Sequence, residues 1–231
     1  MINIPAPYNI ANDNAVMLLF ILNLVGIAFV FIMHGTNIME RIKYVFYYGS
    51  NQTPFNDRTN ISGLSNTLLH TQTILYSTII TIEFLKEKGL GNFDNGSLPY
   101  LIAFILLFTT VILAKYASYY IVNSILFTRQ AVKELQYIYM FTIKLLGFAL
   151  APAIISILFI PSISFTCVKV YLLLVLIAYL YMVISNMIKI IFTRNINILD
   201  IFLYLCTLEI LPILFVWNFI LQVNEFITIK I

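Results

Sequence analysis

The chain has 231 residues, 61% hydrophobic and 10% charged, with a formal net charge of +3. Soluble domains carry about a quarter charged residues. This balance excludes an ordinary water-soluble domain and points to a bilayer, which accepts apolar surface. The small positive charge is spread over the connections and forms no basic stripe, so no nucleic acid is expected as a partner.

Six apolar stretches reach the ~17–25 residues that a crossing helix needs. They predict an all-α membrane protein, a single integral membrane domain over residues 1–231. The first, Val16–Met33, is interrupted only by Asn23 and Gly26. No Lys or Arg precedes it, so the positive region of a cleavable signal is missing and the stretch is expected to remain as a span. Ile38–Tyr48 places Ile38, Ile42, Val45 and Phe46 at helical spacing opposite Glu40, Arg41 and Lys43. That pattern predicts a short amphipathic helix lying on the membrane face. The polar stretch 49–66, with Pro54 and Gly63, reads as a loop.

The second stretch, Leu68–Leu85, is the least apolar, since it carries His70, Gln72 and Glu83. The third starts at Leu98 and Pro99 and runs to Ala114. Proline suits a first helical turn, where its missing N–H costs nothing. Lys115–Phe127 is rich in tyrosine and fits the headgroup zone as a second interfacial segment, or else continues the third helix. The fourth stretch is Tyr137–Ile160, expected to be broken at Pro152. The fifth is Val168–Phe192 and the sixth Ile198–Leu221. Continuous apolar stretches, not residue-by-residue alternation, argue against a β-barrel.

Lys and Arg in the connections set the expected orientation. Arg41, Lys43, Arg58, Lys115, Arg129, Lys133, Lys189 and Arg194 fall on one side, and Lys86, Lys88, Lys169 and Lys230 on the other. The excess predicts both termini on the periplasmic side of a bacterial inner membrane. The two cysteines, Cys167 and Cys206, fall at different depths and are read as small apolar side chains, not a disulfide.

Candidate chemistry centres on Glu209, near the middle of the sixth stretch and three residues before Pro212. A carboxylate at bilayer depth costs at least a few kcal/mol, so it has a partner or a role. Pro212 removes the helical donor for the Leu208 carbonyl, which weakens the backbone beside it. Lys144 is the expected partner: the two residues differ in depth by roughly 6 Å at the helical rise. An intramembrane pair fits either a packing clamp or a proton or cation site. Gly147 and Ala151, spaced as small-xxx-small beside Lys144, predict close approach of another helix. Pro152 and Pro212 are the expected helix kinks. His70 and Asn186 are secondary candidates, each read first as a hydrogen-bonded residue. No metal-ligand spacing, P-loop or hydrolase motif is present, so no metal or cofactor is expected.

The segment Leu203–Pro212, LYLCTLEILP, resembles the C-terminal signature of an uncharacterised family of inner-membrane proteins of Bacteroidota, known only as a domain of unknown function. Phe141–Gly147 through Pro152 is similar to that family's fourth-helix pattern, and the first helix with its basic, tyrosine-rich continuation fits as well. The resemblance implies a multi-spanning inner-membrane protein and brings no activity. The expected role is a non-catalytic scaffold or accessory subunit of an envelope complex, with lipid and other inner-membrane proteins as partners. The alternatives are a small proton- or cation-coupled transporter using Glu209, or an intramembrane lipid-modifying enzyme.

Overall fold

The computed structural model describes residues 10–46, 63–90, 97–126, 129–160, 165–194, 215 and 218–222. Side chains are defined throughout these except at 41, 43–46, 119, 121–139, 165 and 186–194. Five long helices follow a short 3-10 turn at Ile10–Asn12: α1 (Asn14–Phe46), α2 (Gly63–Glu87), α3 (Leu98–Leu126), α4 (Arg129–Phe159) and α5 (Phe165–Arg194).

Their ends are set by local chemistry. Asp13 caps α1: its Oδ1 accepts the Ala15 N–H at 2.9 Å, satisfying one of the free donors of the first turn. Its Oδ2 accepts the Ser97 hydroxyl, and the Ser97 carbonyl in turn accepts the Leu101 N–H at the start of α3. One carboxylate thus holds two helix starts together. At the end of α2, Gly89 has φ +64°. Its N–H donates to the Lys86 carbonyl and the Leu90 N–H to the Leu85 carbonyl, each at 3.0 Å, the paired bonds that close a helix through a left-handed glycine.

Among the described residues, four helical stretches are long and apolar enough to cross a membrane: Asn14–Glu40, Leu98–Ser118, Met140–Phe159 and Thr166–Ser185. Their outer faces expose Leu18, Leu22, Val25 and Ile32 on α1, and Leu173, Leu174 and Ile177 on α5. Such continuous apolar surface suits acyl chains. α2 is not among the four, yet it lies at the centre, packed against α1, α3 and α4. α5 lies outermost among the described helices, against α4, where the Tyr171 hydroxyl donates to the Ala149 carbonyl at 2.6 Å.

α2 tolerates this position because its hydroxyls turn inward on their own helix. Thr67, Thr71, Thr78 and Thr81 donate to carbonyls three or four residues back, at 2.8–2.9 Å. At its far end Ile79, Ile82 and Leu85 meet Phe20, Tyr100, Phe104 and Leu158 in the main core. The Lys169–Glu87 ion pair, 2.8 Å, ties the start of α5 to that end. Its partly exposed charges position the helices more than they stabilise them.

Several expectations change. Neither interfacial helix is separate. Residues 35–46 continue α1 past one non-helical residue, His34 (φ −136°, ψ 16°), because Ile38 packs into a small cluster with Val30 and Leu69 instead of facing lipid headgroups. Residues 115–126 simply extend α3, since nothing in that stretch stops a helix. α4 is one helix through Pro152, whose side is exposed, so the expected break is not seen. Among the described residues, four strongly apolar helices and the buried α2 account for the first five expected spans, and most of the sixth, 198–221, lies outside the described residues.

Gly89→Ala should destabilise the end of α2 by about 1–2 kcal/mol, because a side chain disfavours positive φ. Denaturant unfolding in detergent checks this, and an unchanged midpoint contradicts it.

Candidate functional site

Lys144 lies on α4 and is only 4% exposed. Its ammonium donates to the Asn66 side-chain oxygen near the start of α2. His70 stands one turn further along the same face of α2, as the spacing of four residues requires, and it feels the Lys144 charge. Thr142, two residues before Lys144, is buried too. An ammonium, an amide and an imidazole therefore meet between two helices that run parallel.

The next turn along fixes that geometry. The Thr73 hydroxyl donates across the interface to the Ile143 carbonyl at 3.1 Å, and within its own helix to Leu69 at 3.3 Å. It occupies the space that a side chain at Gly147 would fill: a Cβ there would lie 2.6 Å from the Thr73 oxygen and 3.4 Å from its backbone. Glycine is thus what lets α4 approach α2. Ala151, one turn beyond, is half-buried against the main core.

A second group of polar atoms lies between α1 and α2. Phe20 packs against Tyr76 with the rings tilted and their centroids 6.2 Å apart, and a Cβ at Gly26 would lie 3.3 Å from Leu68. The two helices are therefore antiparallel, and Asn23, midway between 20 and 26, is level with Gln72, midway between 68 and 76. Asn23 is 9% and Gln72 1% exposed. The side-chain oxygens of both, and Nδ1 of His70, are buried without a hydrogen-bond partner. An orphaned buried acceptor costs about 1–3 kcal/mol.

The structure thus brings Lys144, Gly147 and His70 together on facing helices, adds Asn66, Thr73, Asn23 and Gln72, and leaves Pro152 on the outside. Glu209 and Pro212, and the side chain of Asn186, lie outside the described residues. Asn66 falls in the stretch expected to be a loop. The signal that identifies it is its place four residues before His70, on one helical face. Among the described residues no three His, Cys, Asp or Glu side chains converge to hold a metal.

A bundle of long helices, four of them apolar enough to cross a membrane among the described residues and the first half of the central one polar, suits insertion in a membrane. Its family follows from the sequence: a family model described as a domain of unknown function, DUF4271, matches residues 16–220. The chain belongs to that family. No curated protein and no solved structure matches it.

Gly147→Ala should destabilise the bundle by about 1–3 kcal/mol through overpacking. In a Thr73→Ala background, which removes the clashing oxygen, most of that cost should vanish. A double-mutant cycle on unfolding in detergent measures the coupling, and additive effects would contradict the contact.

Proposed function

We propose that this protein handles a proton or small cation at an intramembrane pair formed by Glu209 with Lys144, which lies buried between α2 and α4. It sits in the inner membrane with both termini periplasmic, as the basic connections favour. The observation that carries this reading is the burial of Lys144 among polar side chains inside an otherwise apolar bundle. Asn66 accepts a hydrogen bond from the ammonium, and a carboxylate facing it would offset the cost of burying a charge. Glu83 lies near a helix end and pairs with Lys86 at 3.0 Å. Glu209 is the acidic residue near the middle of an apolar stretch, at nearly the depth of Lys144. Bringing two such charges to one depth is the arrangement that transport proteins use for ion and proton sites.

The accessory-subunit reading makes the same pair a clamp, so one experiment separates the two. The purified chain is reconstituted in vesicles and proton or cation movement is followed under an imposed gradient. Flux by the native chain, abolished in both Glu209→Gln and Lys144→Gln with folded yield retained, is the expected result. If the native chain moves no ions and the variants lose folded yield, the pair is a clamp and the accessory role stands.

A further inference from the structure

We infer that water reaches the interior of this bundle from one end only, along the first half of α2, and stops at a dry apolar plug in its second half. As a route to the charged pair this rests on the ion-handling reading, whereas the one-sided hydration is a property of the bundle itself. The buried side chains of α2 divide sharply along its length. From Ser65 to Thr73 they are Ser65, Gln72 and Thr73 with the single apolar Leu69, and Asn66 and His70 lie alongside. From Tyr76 onward they are Tyr76, Thr78, Ile79, Ile82 and Leu85. Thr78 spends its hydroxyl on the Ile74 carbonyl.

Among the described residues, the three buried side-chain atoms without a hydrogen-bond partner belong to the first half or lie level with it: His70 Nδ1, Gln72 Oε1 and Asn23 Oδ1. The two amide oxygens need donors and the imidazole nitrogen needs a partner of either kind, and they are spread over both faces of α2. Water is the donor small enough to enter and able to serve two acceptors at once, and buried waters occupy polar sites of this kind. Beyond the Thr73–Gly147 contact, where α2 and α4 close on one another, the core offers Phe20, Ile79, Ile82, Tyr100 and Phe104, each 2% exposed or less. Such a lining stays dry.

The test reads access from each side. Single cysteines replace Ser65, His70, Ile79 and Ile82 in a chain carrying Cys206→Ala. Native Cys167, exposed at the start of α5, is kept as the marker for the opposite face. Vesicles of either sidedness are treated with a membrane-impermeant methanethiosulfonate, and labelling is read by peptide. Ser65→Cys and His70→Cys should label only from the face opposite Cys167, and Ile79→Cys and Ile82→Cys from neither. Because a core cysteine can impair folding, the unmodified chain in lipid discs is also exposed to X-ray-generated hydroxyl radicals, which oxidise side chains beside bound water. Oxidation at His70 and Leu69, lost at Ile79 and Ile82, supports the inference. Protection of His70, or oxidation or labelling at Ile79 or Ile82, overturns it. A dry interior with intact proton flux overturns this inference alone, and a wet half without flux overturns the ion-handling reading alone.

Discussion

A polar helix can lie at bilayer depth only where other helices keep lipid away from it. α2 imposes that constraint on the rest of this protein. Its threonine hydroxyls bond to their own helix, and its amides, imidazole and remaining hydroxyls need neighbours. α1, α3 and α4 provide them and present their own apolar faces outward. The strongest apolar signals in the sequence thus belong to the wrapping helices, and the weakest to the one they wrap. This inverts the soluble pattern, in which the most hydrophobic element lies deepest.

The α2–α4 interface concentrates the consequences. Two helices approach closely where Gly147 gives way to Thr73, and one turn away Lys144 lies against Asn66. The close contact and the buried charge are adjacent because each needs the other. A tight interface excludes lipid from the ammonium, and the polar contacts fix the rotation that points Lys144 inward. A hydrogen bond between α-helices in a membrane contributes about 0.6 kcal/mol on average, so register and packing here are shared among many small terms.

Much of this was legible in the sequence. The starts of α3 at Leu98 and of α5 near Val168 follow from apolar stretches bounded by polar ones, and Pro99 marks its helix start by its chemistry. The small-residue spacing at Gly147 pointed to a close approach, though not to Thr73 as the residue met there. Other features were not legible because they depend on tertiary context. Ile38 looked like the apolar stripe of a surface helix, but the partner of that stripe is Leu69, not lipid. The tyrosines after Lys115 suited a headgroup zone, yet a tyrosine does not end a helix, and α3 runs on to Leu126. Asn66 was hidden in a polar stretch, because a helix start and a loop have the same composition. Asn23 appeared only as an interruption, since its level with Gln72 depends on how α1 and α2 align.

The central place of a polar α2 bears on how the chain is made. Its cross-helix partner carbonyl, at Ile143, comes 70 residues after Thr73, and the hydroxyl that meets Asp13 comes 84 residues after it. During synthesis α2 therefore emerges well before the helices that shelter it. Left alone in lipid, its amides and imidazole would draw it back to water. It must wait beside α1 or within the insertion machinery until α3 and α4 arrive. The helix at the centre of the bundle is thus made early and sealed last.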